Sequence, residues 1–414
     1  MVPSGWEKTL LKNLLCTSIK NGYSPNAVEQ NTGYVVLGLG ALTDHTLDTA
    51  NIKNVEATER VLKTQLCHGD FLISRSNTPD KVGRSVMFRG EIPNCSYPDL
   101  MMKFRADESK VEPSYLEIYL QSPKARQYFK NCAAGSSSSM VKINKSVVEK
   151  TPILKPSLPE QRKIAKILST WDKAIAATEK LIETSKQQKK ALMQQLLTGK
   201  KRLLNPETGK VFEGTWEEVK LGDVAAMNSG GTPKSSVSEY YDGKHPWVSI
   251  ADMTKHGKWI SKTEKSLTDE GIANSSARLY PKGTVLYAMY ASIGECSIAT
   301  VELCSSQAIL GIRPNSNLIN IYLYYYLINL KEKIILTGQQ GTQSNLNAGM
   351  VKGFTIKLPT IVEQQKIASV LTAADKEIEA LEAKLAHFKQ EKKALMQQLL
   401  TGKCRVNVEE MEVA

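Results

Sequence analysis

The sequence predicts an α+β fold in which two mixed α/β domains alternate along the chain with two long helices that form a coiled coil. Three observations predict it. A segment of about 42 residues occurs twice, about 203 positions apart without a gap, and about 25 of its positions are identical. Within each copy, apolar residues recur at alternating spacings of three and four, which is a coiled-coil seam. The regions before each copy share only sparse landmarks, and strand-like runs are frequent in both.

Taken in chain order, residues 1–156 form the first mixed domain. Strand-like runs cover Tyr34 to Leu39, Phe71 to Ser74, Ser85 to Phe88 and Leu100 to Phe104, and a short helix covers Tyr115 to Leu120. Residues 157–202 form the first long helix. Ser157 with Glu160 reads as a capping box, and Gly199 in Thr198-Gly199-Lys200 suits a left-handed helix end. Its seam runs Ile164, Leu168, Trp171, Ile175, Thr178, Ile182, Ser185, Lys189, Leu192, Leu196. Polar Thr178 and Ser185 weaken that seam, so its natural partner is the second helix of the same chain.

Residues 203–358 form the second mixed domain, with strands over Trp247 to Ile250, Val285 to Ala291, Ser297 to Val301 and Ala308 to Ile312 and a helix over Ile321 to Leu330. Its landmarks repeat those of the first: Trp216-Glu217 matches Trp6-Glu7, Gly283-Thr284-Val285 matches Gly69-Asp70-Phe71, and Gly341-Thr342 matches Gly135-Ser136. Residues 359–405 form the second helix, capped by Thr360 with Glu363 and ended by Thr401-Gly402-Lys403, and residues 406–414 are a tail. At 1.5 Å per residue each helix is a rod of roughly 60 Å.

A structural spacer explains the seam, which needs only its inward positions. The repeat also preserves surface positions, Lys190, Gln194 and Gln195 against Lys393, Gln397 and Gln398. Identical surfaces can dock identical partners, whereas divergent domains on a common fold can each read something different. The net charge of +12 fits an anionic partner such as nucleic acid. The polar loops therefore supply the candidate DNA-binding residues. In the first domain these are Lys20, Tyr23, Arg75, Ser76, Asn77, Lys81, Arg84, Ser136, Ser137 and Ser138. In the second they are Thr232, Lys234, Lys244, Tyr290, Ser292, Gln340, Thr342, Gln343 and Asn345. Arginine can pair bidentately with guanine and Asn or Gln with adenine, while Lys and Ser/Thr suit phosphates.

Catalytic machinery is not evident. There is no GxxxxGK[ST] phosphate loop and no Asn-Pro-Pro-Tyr or Asp-Pro-Pro-Tyr stretch to hold a flipped adenine. The seven scattered cysteines form no CxxC pair and the five histidines cluster with nothing, so no metal site is expected. Pro98-Asp99 followed by Glu108 and Lys110 mimics metal-nuclease spacing, but Glu108 falls in a charged turn and the second domain has no equivalent. No apolar run of membrane-spanning length and no signal peptide are seen, which predicts a cytoplasmic protein.

The chain resembles the specificity subunits of type I restriction-modification systems over essentially its whole length. The resemblance rests on Leu158-Pro159-Glu160-Gln161-Arg162-Lys163-Ile164-Ala165 and its partner from Leu358 to Ala368, and on the two Leu-Leu-Thr-Gly-Lys helix ends. Gly230-Gly231-Thr232-Pro233, Trp247-Val248-Ser249-Ile250 and Gly341-Thr342-Gln343-Ser344-Asn345-Leu346 are also family-like. The first domain has Asn21-Gly22-Tyr23-Ser24-Pro25 where the second has its Gly-Gly-Thr-Pro run.

This resemblance implies two target-recognition domains with an antiparallel pair of conserved helices between them. It implies double-stranded DNA as ligand, with each domain reading half of a bipartite, asymmetric target. It further implies two copies of a methyltransferase subunit and two restriction subunits as partners. S-adenosylmethionine, ATP and Mg²⁺ would belong to those partners, and this chain would hold no cofactor and do no chemistry. Two other readings stay open at this stage: the recognition subunit of a related system whose methylase and nuclease share one polypeptide, and a coiled-coil interaction scaffold.

Overall fold

The computed structural model describes residues 2–137, 140–290, 292–339 and 346–408. The chain divides into two compact units, Met1–Glu179 with Lys384–Ala414, and Lys180–Ala383. Each unit therefore combines one mixed domain with a stretch of both long helices.

In the first unit the main antiparallel sheet runs in the order Lys20–Asn21, Met101–Arg105, Asp70–Ser74, Ser85–Met87 among the described residues. A second sheet joins Ile52–Asn54, Val35–Leu37 and Cys95–Ser96, the last two being parallel. Helices Pro113–Gln121 and Pro123–Cys132 each place a proline in the first turn, where its missing N–H costs nothing. Their apolar faces bury Tyr115, Leu116 and Phe129 against Phe71 and Phe104, whose rings stack at 5.3 Å. The first strand, Glu7–Leu10, pairs with the last, Pro152–Lys155, immediately before the long helix.

The second unit repeats this topology. Ala225–Ser229, Ile309–Pro314, Val285–Ala288 and Cys296–Ala299 take the four places of the main sheet, with Trp259–Ile260 added at its edge. Lys265–Leu267, Tyr241–Val248 and Cys304–Ser305 form the second sheet, again with one parallel pair. Glu217–Lys220 pairs with Thr355–Leu358, and the helix Asn320–Gln339 packs on the main sheet. The strand expected over Trp247 to Ile250 stops at Val248, because Ser249 and Asp252 form a capping box that starts a helix at Ile250.

The long helices are Leu158–Leu196 and Ile361–Leu399. Within each unit their stretches run antiparallel. In the first unit Asp172 pairs with Lys392, Glu179 pairs with Lys389 at 2.7 Å, and Trp171 meets Phe388 edge-on at 5.5 Å. In the second unit Asp375 pairs with Lys189, and Glu382 pairs with Lys186 at 2.7 Å. These are the same two ion pairs, each residue displaced by the repeat. Lys189 and Lys392, which the heptad spacing places on the seam, are thus its ion-paired members and fix the register of the antiparallel pairing. Thr178, also on the seam, is buried and donates to the Ala174 carbonyl at 2.8 Å, which removes the penalty of an unpaired hydroxyl. Gly199 and Gly402 adopt φ of +74° and +68°, the left-handed helix end that the sequence predicts.

Of the two capping boxes, only the second is half formed among the described residues. Thr360 does accept the Glu363 amide at 3.4 Å, but neither glutamate turns back to its cap. Glu160 is buried and accepts the Trp6 indole N–H at 3.1 Å and Arg405 Nε and Nη2 at 2.6 and 2.9 Å. Glu363 is held in the same way by Trp216 at 3.1 Å and by Arg202 at 2.6 and 2.8 Å. A charge-assisted fork and an indole donor outcompete a solvated cap bond for a buried carboxylate. The neighbouring glutamines complete the joint. Gln161 accepts the Glu112 amide and donates to the Pro156 carbonyl, both at 2.8 Å, and Gln364 does the same with Ile319 and Pro359, both at 2.9 Å.

Candidate nucleic-acid interface

Strand register brings most of the candidate loops of each domain to one edge of its main sheet. In the second domain, Ser229 faces Leu310 and Ala288 faces Ile309, so two strands end and one begins at the same edge. The Gly230–Lys234 run and the segment that reaches Tyr290 both leave from there. Gly230 and Gly231 are glycine for lack of room, since a Cβ would meet the Ser305 carbonyl oxygen at 2.2 Å and the Ala277 nitrogen at 2.3 Å. The Trp247 indole donates to the Gly231 carbonyl at 2.9 Å and Tyr241 to the Pro233 carbonyl at 2.9 Å. Held this way, Thr232 and Lys234 are exposed on a fixed backbone. Tyr290 is also exposed, and the Met289 carbonyl beside it accepts the Leu346 amide at 3.0 Å. Gln340, Thr342, Gln343 and Asn345 lie outside the described residues, and Leu346 is the first described residue after them.

The first domain builds the same edge. Asn21 faces Met102 and Ser74 faces Met101. A Cβ on Gly22 would meet the Tyr97 carbonyl oxygen at 2.2 Å, so Asn21-Gly22-Tyr23-Ser24-Pro25 occupies the place of the Gly-Gly-Thr-Pro run despite its different sequence. The Arg75 carbonyl accepts the Ile143 amide at 2.9 Å, which repeats the Met289–Leu346 bond. The hairpin Ala134–Ser137 and Met140–Lys142 then pairs with Ser76–Asn77, so Ser136 and Ser137 stand beside the same loop. Ser138 lies outside the described residues. The loop that follows is anchored from below: Arg126 donates to the Val82 carbonyl at 2.6 Å and the Asp80 carbonyl at 2.8 Å. Lys20 and Lys81 are exposed, while Tyr23 is half-buried under the Arg60 guanidinium, 5.5 Å from its ring.

Four expected readers are placed otherwise. Ser76 and Asn77 are buried, Asn77 accepting the Thr78 amide at 2.9 Å, because their strand is covered by the hairpin. Arg84 forks onto Asp44 at 2.8 and 2.8 Å with little of its side chain exposed. Lys244 pairs with Asp269 at 2.8 Å on the second sheet rather than at the shared edge. Ser76, Asn77 and Arg84 are thus held within their domain, whereas the Lys244 side chain remains largely exposed.

Asp99, Glu108 and Lys110 do not converge. Asp99 sits before the strand Met101–Arg105 and accepts from Ser24, whereas Glu108 lies beyond its other end and Lys110 pairs with Asp107 at 2.8 Å. Among the described residues no group of three or more His, Cys, Asp or Glu is placed to hold a metal ion, and no helix is long and apolar enough to cross a membrane.

On the helices, Lys190, Gln194, Gln195, Lys393, Gln397 and Gln398 are all exposed. In both copies, buried Met193 and Leu196, or Met396 and Leu399, turn the opposite face into the core of their own unit. Arg202, Arg405 and Lys258, which hold domains to helices, were not singled out from the sequence. The repeated Thr-Gly-Lys-x-Arg spacing is the signal that marks the two arginines.

The model of the type I restriction modification DNA specificity domain matches residues 3–187 and 213–389. The chain is 29% identical over 423 residues to the putative type I restriction enzyme MjaX specificity subunit of Methanocaldococcus jannaschii, covering 98% of this chain and 95% of that one. It is 25% identical to the EcoR124I/EcoR124II specificity subunit of Escherichia coli over 55% of this chain and 56% of that one. Its fold matches a chain solved in work on assembly and conformational transition of the type I R-M system, with a TM-score of 0.62 at 18% identity, covering 98% and 100% of the two. It also matches the type I S subunit from M. genitalium, with a TM-score of 0.59 at 14% identity and 96% coverage of each. With most of both mixed domains and of both long helices inside the matched residues, this chain belongs to the family of DNA specificity subunits of type I restriction-modification enzymes.

Proposed function

We propose that the chain reads a bipartite, asymmetric sequence on double-stranded DNA, one half with each domain, while its helix pair carries two copies of a methyltransferase subunit and spaces the two halves. The observation that carries this reading is a contrast within the repeat. Topology, edge geometry and solvent-facing helix residues recur, yet the side chains at the two sheet edges differ. Lys20, Tyr23, Arg75, Lys81, Ser136 and Ser137 would approach one half-site, and Thr232, Lys234, Tyr290 and Ser292 the other. Gln340, Thr342, Gln343 and Asn345 are proposed with the second group from their place in the sequence. Lysines and hydroxyls suit phosphate and sugar, and Arg75 and the glutamines suit base edges.

Lys190, Gln194 and Gln195, with Lys393, Gln397 and Gln398, would present one surface twice and so recruit one subunit type twice. The methyl donor would sit on that subunit, and two ATP-driven restriction subunits complete the complex. The whole would work in the cytoplasm, on chromosomal and incoming DNA. Two short half-sites read together multiply discrimination, since each mismatch costs about 1–3 kcal/mol. The test is methylome sequencing of a strain carrying this chain with its methyltransferase, in which residues 1–150 are replaced by those of a relative. One half of the methylated motif should change and the other persist; an unchanged motif refutes the reading.

A further inference from the structure

The two units are not attached to their helices in the same way. Both have the Trp–Glu–Arg joint and both have the Lys–Asp register pair, but the second unit adds a lysine from the recognition domain itself. Lys258 follows the helix Ile250–His256, and its side chain is 10% exposed. Its ammonium lies 2.6 Å from the Tyr325 hydroxyl, 3.3 Å from Thr372 Oγ1 and 3.3 Å from Asp375 Oδ2. Those three acceptors match its three N–H donors. Tyr325 in turn donates to Asp375 at 2.5 Å. The ammonium also stands over the rings of Tyr325, Trp259 and Tyr324 at 4.3, 5.1 and 5.3 Å. Asp375 is the carboxylate that pairs with Lys189 across the helix pair. In the first unit the corresponding carboxylate, Asp172, pairs with Lys392, and among the described residues no recognition-domain lysine or arginine bonds to it.

A largely buried ammonium is costly, and an apolar side chain would fill the same space at lower cost. Burial pulls the Lys258 ammonium below the usual lysine range, and the opposing pull of Asp375 acts in the other direction. What the lysine adds is direction: three bonds that tie one loop of the recognition domain, one of its helices and the second long helix at a single point. We propose that Lys258 is a positioning residue that braces the second recognition domain on the helix pair and thereby sets how strictly the gap between half-sites is enforced. This rests on the bipartite reading given above. With the brace the polar fixings of the domain on the second helix are two, the Glu363–Gln364 joint and Asp375; without it, only the first remains beside the apolar packing of Ile367 and Leu371, and the domain is freer to pivot.

The test uses the full chain with its methyltransferase subunit and DNA duplexes carrying the motif that the wild-type complex methylates, with the native gap or a gap one base pair longer or shorter. Lys258→Met should lower the ratio of native-gap to shifted-gap methylation at least tenfold. Tyr325→Phe keeps the ring and removes the bridging hydroxyl, and should lower the ratio about threefold. A merely structural role would depress methylation of all three duplexes in parallel. A ratio within twofold of wild type in both variants overturns the brace, and Tyr325→Phe decides alone if Lys258→Met does not fold. If the wild-type complex methylates no bipartite motif, the functional reading falls and the brace with it.

Discussion

Replacing Glu363 by Gln perturbs one joint while preserving its shape. The carboxylate is 1% exposed and receives two guanidinium bonds at 2.6 and 2.8 Å and one indole bond at 3.1 Å. Removing one partner of a buried ion pair costs about 3–5 kcal/mol, because the remaining charge is left uncompensated. Two features lower that figure here. Arg202 is 20% exposed, and its guanidinium also donates to the Gly214 and Glu213 carbonyls at 2.8 and 3.3 Å. A loss of about 2–3 kcal/mol is therefore expected, which at a urea slope of about 2 kcal/mol per M shifts the midpoint of the second unit by about 1–1.5 M. The assay is urea unfolding followed by tryptophan fluorescence, with Trp216 as the indole bonded to the altered side chain. Glu160→Gln supplies an internal comparison, since Trp6 and Arg405 hold Glu160 at 3.1, 2.6 and 2.9 Å. A double-mutant cycle with Arg202→Met should show coupling of at least about 1 kcal/mol. Midpoint shifts below about 0.3 M for both glutamines would refute the claim that the joints hold the domains to the helices.

Other perturbations address the helices, the sheet and the missing chemistry. Seven residues inserted after Glu179 and seven more after Ala383 keep every cross-helix ion pair intact within its unit. They add about 10 Å of helix, so the methylated motif should gain a gap of about three base pairs; an unchanged gap with methylation retained would sink the spacing role. Asp70 is buried, and burial alone would raise its pKa, but the Cys67 amide at 2.9 Å, Lys103 at 2.9 Å and Arg105 at 2.7 Å hold it below the usual carboxylate range. A pKa depressed in the folded state stabilises above about pH 4 and is lost as pH falls through the folded value. Circular dichroism should therefore show the first unit losing stability as pH falls from about 5 through the depressed folded value, and less so in Asp70→Asn; identical acid profiles would contradict it. Asp99→Ala should leave DNA modification and restriction unchanged in a plaque assay, and loss of restriction alone would revive a nuclease role.

How much of this was legible depends on what kind of interaction each residue makes. The helix pair was legible because a seam is periodic: Ile164, Leu168, Ile367 and Leu371 announce their burial by spacing alone. The sheet-edge loops were legible as positions, because Gly69 and Gly283, at φ of +88° and +90°, mark the same turn into the same strand. Which loop residues face outward was not legible. Ser76 and Asn77 look like any polar loop pair until the hairpin that covers them is placed, and that pairing joins residues more than sixty positions apart.

The joints show a different limit. Glu160 and Glu363 sit at capping-box spacing, so local chemistry offers a complete account of them, and the account is wrong at the side chain because a long-range donor is stronger. Arg405 reaches Glu160 from 245 positions away and Arg202 reaches Glu363 from 161. No local pattern contains that information, but the repeat does. A residue that recurs at the same offset outside the seam, as these arginines do, is being kept for something the seam does not need. Lys258 has no counterpart in the repeat and so gave no signal at all. An asymmetry between two otherwise matched units is visible only once both are folded, and it is there that a difference in how each half-site is held would arise.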